Sequence, residues 1–336
     1  MPLKLSVIDQ TPIHQGHSAV TALATSVELA IACEGLGYHR YWVAEHHDSI
    51  HFAGTAPEIL LTRIASATRS MRIGSGGVML SHYSPYKVAE TFALIGALFP
   101  GRIDLGIGRA PGGGLLSSIA LAAPRPPAQH DHFPQQAADL CAFLRGELPS
   151  SHAFASLACA TDQASRPQLW MLGSGGGSSA LAGQLGMGLA LARFIAPATC
   201  SPAIFDQHAQ AWKQVAHSST PPRLVALAVI CAASDEEARF IAGTAVYRKL
   251  MAGNGPREPL LAPGEVQRRY QLMPPQQRLA FDSTLADMVV GSPATCRAQI
   301  SRIAADFGCE EIGVVTVTHG FEDRLRSYRL LGTPGA

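Results

Sequence analysis

The chain has 336 residues, 47% of them hydrophobic and only 15% charged, so it can bury a full core and exceeds the usual single-domain length unless it forms an α/β barrel. Its 26 basic and 25 acidic side chains leave a formal charge of +1, which removes the electrostatic case for nucleic acid or an anionic membrane surface as a partner. No run approaches the roughly 18 to 20 apolar residues of a transmembrane helix, and the seven cysteines are scattered, with no CxxC pair and no Cys/His cluster at metal-ligand spacing.

The opening MPLKLSVIDQTP reads as a strand and not as a signal peptide, so a reducing cytoplasm is the expected location. Leu5 to Ile8 is predicted as the first strand and Ala19 to Leu36 as an amphipathic helix closed by Gly37. Arg40 to Ala44 is the second strand, with a helix from Pro57 to Thr68 behind it. Ile73 to Gly76 and Ile103 to Ile107 are the third and fourth, joined by a helix from Pro85 to Leu98. The period then breaks from Leu115 to Arg166, a proline- and histidine-containing excursion around one predicted helix, Gln135 to Arg145. Leu169 to Leu172, Gly188 to Ala192 and Arg223 to Cys231 continue as strands, with helices at Ser178 to Leu185, Pro202 to Ala216 and Asp235 to about Leu250. A second stretch, Ala252 to Met288, reads as irregular because of its Pro/Gly content and is the expected lid. Pro293 to Phe307 is helical, Ile312 to Thr318 is the eighth strand, and Phe321 to Leu331 is the last helix. Strands alternating with helices imply parallel βαβ crossovers. Eight such units describe a (β/α)8 TIM barrel, one domain over residues 1–336 with insertions after strands four and seven.

Ligands bind at the C-terminal ends of parallel strands, and four strand ends here carry unusual chemistry. Gly76-Gly77 ends the third strand: either an ordinary tight turn or a place where the backbone approaches a flat ligand closely. Arg109 follows Gly106-x-Gly108 at the end of the fourth, where a planar, permanently charged fork suits an anion better than a surface ion pair does. Ser174-Gly175-Gly176-Gly177-Ser178 leads from the fifth strand into a helix, the arrangement of a phosphate cradle or of a simply capped helix. Glu45-His46-His47 leaves the second strand, and alternation allows at most one of the two histidines to face a cavity. His82 and Tyr83 are further candidates for its lining, and no metal site is implied.

The motifs WVAEHH (42–47), IGSGGVMLSHYSP (73–85), PGRIDLGIGRAPGG (100–113) and LWMLGSGGGSSALAGQLG (169–186), in this order, resemble the bacterial luciferase-like family of reduced-flavin monooxygenases. The likeness is greatest to the branch that recurs in antibiotic biosynthesis clusters. It implies a TIM barrel and FMN as FMNH2, with O2 as co-substrate. It further implies oxygen transfer to a small organic, secondary-metabolite substrate through a C4a-(hydro)peroxyflavin. A separate flavin reductase would deliver the FMNH2, so that NAD(P)H acts only indirectly, and the chain would pair as a homodimer. By this resemblance Gly76 and Gly77 form a non-proline cis peptide against the flavin ring, Arg109 lies in the flavin site, and Ser174, Gly175, Gly176 and Ser178 take the phosphate. His46 is the catalytic residue. Two departures bear on the inheritance: Ser174 stands where luciferase has a glutamate, and Gly108 where it has a reactive cysteine, so aldehyde-driven light emission does not carry over. Two other readings stay open: a deazaflavin (F420)-dependent hydride-transfer enzyme, and a non-enzymatic flavin-binding accessory protein.

Overall fold

Short runs buried along most of their length become strands and the longer amphipathic runs become helices, as seen in a computed structural model that describes residues 3–124, 131–159, 162, 164–215, 220–252 and 258–332. The elements are β1 (Lys4–Asp9), α1 (Ala19–Gly35), β2 (Arg40–Val43), α2 (Pro57–Ala67), β3 (Arg72–Met79), α3 (Pro85–Leu98), β4 (Ile103–Gly108), α4 (Leu115–Ala122), α5 (Phe133–Arg145), β5 (Gln168–Gly173) and α6 (Ser179–Gln184). There follow β6 (Gly188–Ala192), α7 (Ala203–Gln214), β7 (Arg223–Cys231), α8 (Asp235–Met251), α9 (Pro263–Leu272), α10 (Pro275–Ala286), β8 (Val289–Gly291), α11 (Pro293–Asp306), β9 (Glu311–Val315) and α12 (Phe321–Leu331). Every pairing is parallel, and β1-β2-β3-β4-β5-β6-β7-β9 close on themselves as an eight-stranded barrel, with β9 returning to β1 at Ser6 beside Gly313. The TIM barrel expected from the alternation is therefore the fold. Among the described residues no helix is long and apolar enough to cross a membrane.

The structure departs from the sequence reading in three places. The stretch 252–288 is not irregular: its described part forms α9 and α10, and the excursion after β4 contains α4 as well as a longer α5. The prolines taken as breakers stand in the first helical positions instead, Pro263 in α9 and Pro275 in α10, as Pro57, Pro85, Pro134 and Pro293 do elsewhere. Proline lacks an N–H that the first turn cannot use anyway, so it opens a helix as readily as it ends one. The third departure is β8, which extends β7 outside the barrel at Val229 to Cys231, so that the closing strand is β9.

Inside the barrel, alternate residues of each strand point inward, and their character changes along the axis. At the N-terminal end, the Arg40 Nε donates to Glu311 Oε1 at 2.6 Å and its Nη1 to Asp104 at 2.8 Å and Gln168 at 3.2 Å. Ser6 donates to the same glutamate, while Arg72 and Trp42 donate to Asp104, so six strands meet on one buried charge cluster. One inward step further, Trp42 and Trp170 pack edge to face with centroids 5.2 Å apart, among Ile8, Leu224 and Val315. A further step along each strand reaches Gln10, Ala44, Gly76, Gly108 and Leu172, where the interior opens into a cavity. The larger apolar core lies outside the barrel, between strands and helices.

Replacing Arg40 with leucine leaves Asp104 and Glu311 buried with most of their compensation gone; the expected loss is about 3 to 5 kcal/mol of unfolding free energy. Urea titration of the Arg40→Leu variant checks this, and a loss under about 1 kcal/mol would show that the cluster does not anchor the floor.

Candidate functional site

The cavity at the C-terminal strand ends has a volume of about 370 Å³, within the range of small-ligand sites. Seven glycines contribute to its walls. Gly76 and Gly77, joined by a cis peptide, lie midway along β3, which runs on to Met79 with a register shift against β4. A Cβ on Gly77 would stand 2.7 Å from the Gly106 carbonyl oxygen, and one on Gly76 3.0 Å from the Trp42 Cβ, so neither position has room for a side chain. On another wall the chain leaves β5 at Gly173 and turns through Ser174 and Gly175 into a 3-10 turn, Gly176–Ser178, that leads into α6. The N–H groups of Gly176 and Gly177 open this turn and have no acceptor within it.

Glycine at 175 and 177 has no packing reason: an added Cβ would meet nothing within 4 Å at either, and neither has a positive φ. Both line the cavity, as do Ser174 and Ser178, so side chains here would occupy the very space that is left clear. Gly176 is not part of the lining; it turns towards Gln207, and the Ser179 hydroxyl binds the Gly176 carbonyl and Gln207 rather than capping α6. Arg109 extends from the end of β4 with its Nη2 3.5 Å from the Ser178 hydroxyl and 3.5 Å between Nη1 and Asp131. Its guanidinium lies 5.5 Å from the Phe133 ring centre and stays half-exposed, with N–H capacity to spare. A planar cation beside a clear glycine turn, facing a flat backbone wall, fits a ligand that has an anionic tail and a flat ring.

His46 faces this cavity, and the adjacent His47 does not. His47 Nε2 lies 2.7 Å from Glu45 Oε1, which also accepts the Tyr83 hydroxyl at 2.8 Å, while Glu45 Oε2 accepts the Met79 N–H at 3.0 Å. Buried Glu45, which the sequence reading did not single out, thus ties the end of β2 to the end of β3 just past Gly77. His82 and Tyr83 are not lining residues: His82 bonds the Pro111 carbonyl at 2.8 Å and Tyr83 is held by Glu45. His46 stacks on Phe52 at 4.6 Å, and neither of its ring nitrogens hydrogen-bonds to a described residue. Burial, reinforced by the Arg248 guanidinium, pushes its pKa down to about 4, so the ring is neutral at pH 7.

Past His46 lies a second chamber of about 290 Å³, which shares Gln10, His46, Phe194 and Ile195 with the first and is bounded by Arg248, Lys249 and Asp287. No local signal marks Arg248 in the sequence, since α8 reads as an ordinary barrel helix. A larger groove of about 640 Å³ between α8, α9 and α10 shares no lining residue with either chamber.

The sequence model described as luciferase-like monooxygenase matches residues 3–311. The chain is 40% identical over 331 residues to the uncharacterized protein YwcH of Bacillus subtilis (strain 168), covering 98% of each chain. It is 45% identical over 195 residues, 57% of this chain and 58% of the other, to the N-acetyl-S-alkylcysteine monooxygenase of the same strain. Among solved structures, apo-MsnO8 matches with a TM-score of 0.87 at 38% identity, covering 98% of this chain and 97% of that one. Two more distant structures share the fold alone. The oxygenating constituent of 3,6-diketocamphane monooxygenase of Pseudomonas putida, in complex with FMN, has a TM-score of 0.71 at 18% identity; an F420-dependent secondary alcohol dehydrogenase has 0.63 at 15%.

Substituting alanine for Gly77 is expected to destabilise the protein by about 1 to 3 kcal/mol, because the new methyl meets backbone that cannot yield; thermal unfolding reads this directly. Stability should also depend on pH in a defined direction. His46 and the buried His14, both near 4 when folded against an ordinary 6.5, bind protons more readily unfolded, so stability is complete above about 6.5 and falls as pH drops towards 4. Each contributes up to ~3 kcal/mol to that fall, and unfolding midpoints of His14→Asn and His46→Asn measured between pH 7.5 and 4.5 should show a flatter slope than the parent.

Proposed function

Because the chain belongs to the luciferase-like monooxygenase family, we propose that it is an FMNH2-dependent monooxygenase that uses O2 to oxygenate a small organic substrate, with one barrel domain doing the whole of the work. The observation that carries this reading is the first cavity: a glycine backbone wall at Gly76-Gly77, a glycine turn kept clear of side chains, and Arg109 beside Ser178 between them. When bound, reduced FMN supplies the activation of O2 from which one oxygen atom reaches the substrate.

The chain's own residues bind, orient and exclude water. Gly76 and Gly77 offer a flat surface to the ring, and Ser174, Gly175 and Ser178, with the amides of Gly176 and its neighbours, take the phosphate. Arg109 offers the negative charge of the cofactor a planar fork of N–H donors. Glu45 positions the turn after Gly77 through the Met79 amide. His46 is the catalytic residue in this reading. As a neutral ring at the junction of the two chambers, it holds a proton on one nitrogen and accepts a hydrogen bond on the other, and its low pKa makes it a hydrogen-bond partner for reacting atoms more than a strong base. The substrate occupies the second chamber, whose size suits a small organic molecule; one relative is named for N-acetyl-S-alkylcysteine, which is of that class. A secondary-metabolite substrate, a separate NAD(P)H-dependent reductase as the source of FMNH2, and a homodimeric assembly complete the proposal.

Arg109→Ala and Ser178→Ala are expected to weaken FMN binding about tenfold, the scale of one charged hydrogen bond in a half-exposed site, with circular dichroism unchanged; quenching of flavin fluorescence measures it. The hydride-transfer alternative is separated by the same titration. Tight binding of F420 with weak binding of FMN, together with no oxygen consumption by the photoreduced protein, would replace this reading with that one.

A further inference from the structure

The second chamber contains a buried cation that the protein does not neutralise. Arg248 is on α8, and its Nε is enclosed without a hydrogen-bond partner. Among the described residues no carboxylate forms an ion pair with its guanidinium; the Phe52 ring lies 5.0 Å from it, and the nearby His46 is held neutral. Its pKa is lowered by burial with no opposing carboxylate to restore it. The adjacent Lys249 is different: its Nζ donates to the Phe194 carbonyl at 2.8 Å, and Asp287, the acid bounding this chamber, acts on it. Glu258, which lines the small pocket behind the chamber together with Arg248, is bound at 2.6 Å by Arg269 instead. The remainder of the wall is mostly apolar, with Met288, Val315 and Val317 opposite.

An unpaired guanidinium in such a place is unfavourable in the free protein, which makes it selective for whatever completes it. Its planar fork matches a carboxylate with two parallel N–H···O contacts, and the chamber's small size and apolar wall demand a compact hydrocarbon body behind that group. We infer that the substrate is a small organic monocarboxylate whose acid group is bound by Arg248 and whose opposite end reaches the His46 boundary between the two chambers. This rests on the second chamber being the substrate site of the proposed monooxygenase, and it makes Arg248 the residue that selects the substrate class. Arg248 has no part in holding the cofactor, since it lines only the second chamber and the small pocket behind it.

The test uses the flavin-free full chain, and the Arg248 variants separate the second chamber from the anion site at Arg109. Isothermal titration with butanoate, hexanoate, octanoate and N-acetyl-S-methylcysteine, each against its uncharged amide, is expected to show at least one acid bound tenfold or more tightly than its amide. Arg248→Met should abolish that preference and Arg248→Lys should keep part of it, while FMN affinity, titrated separately by fluorescence quenching, stays within twofold of the parent in both. Equal affinity for every acid and its amide, no detectable acid binding, or a preference that survives in Arg248→Met would overturn the inference. A lost FMN affinity in the parent protein, with the acid preference intact, would instead count against the cofactor reading alone. Should Arg248→Met fail to fold, the tenfold preference and its reduction in Arg248→Lys decide the question.

Discussion

The barrel depends on the charge cluster around Arg40. Its guanidinium binds Glu311, Asp104 and Gln168 directly, and Ser6, Arg72 and Trp42 join through those two carboxylates, so that side chains from six strands draw the N-terminal ends of the barrel together and fill the space there. Removing such groups from water is unfavourable, and here the balance is restored by saturation: Asp104 accepts from Arg40, Arg72 and Trp42, and Glu311 from Arg40 and Ser6. The indole pair of Trp42 and Trp170 seals the layer above. A second buried pair, Arg324 with Asp9, pins α12 to β1 on the outer side and brings the Tyr41 hydroxyl to the same aspartate. With its lower end closed in this way, the interior can open only at the C-terminal ends of the strands, and that is where the chambers lie.

The first cavity is built from what the chain omits. Side chains at Gly76, Gly77 and Gly106 would strike the backbone or the indole layer, whereas side chains at Gly175 and Gly177 would strike nothing and simply fill the void. The first set is required by the close approach of β3 and β4; the second leaves room for a ligand. Glu45 then keeps the omission stable by accepting three hydrogen bonds from groups around the β3 end, including the amide just past the cis peptide. The second chamber is built in the opposite way, from side chains, with the barrel helix α8 supplying Arg248 and Lys249, and its chemistry is cationic and apolar where the first is rich in glycine.

The glycines of the first cavity were legible because they interrupt the sequence at strand ends, where a barrel binds its ligands. Alternation alone allowed one inward histidine and the family resemblance chose His46; in the structure His46 faces the cavity, while Glu45 draws the His47 ring away. Gly176 reads like its neighbours in the run of glycines, yet it packs towards Gln207 of α7. The stretch after β7 was misread as irregular because proline carries the same letter at either end of a helix, and only the pairing of the following amides tells which end it marks. β8 escaped notice because three residues are too few to establish a period.

By itself the sequence determined the alternation of strand and helix, hence the parallel barrel, and the glycine-rich strand ends, because both rest on local patterning within a few residues. The tertiary structure alone decided that Arg40 sits on the barrel floor instead of at the surface, that Glu45 fastens two strand ends, and that Arg248 meets His46 across a shared chamber. Those outcomes depend on which inward positions closure brings face to face, and on how much water it removes from them. Neither quantity is written in any window of the chain, since each is set by residues that are distant in sequence and adjacent only after the barrel has closed.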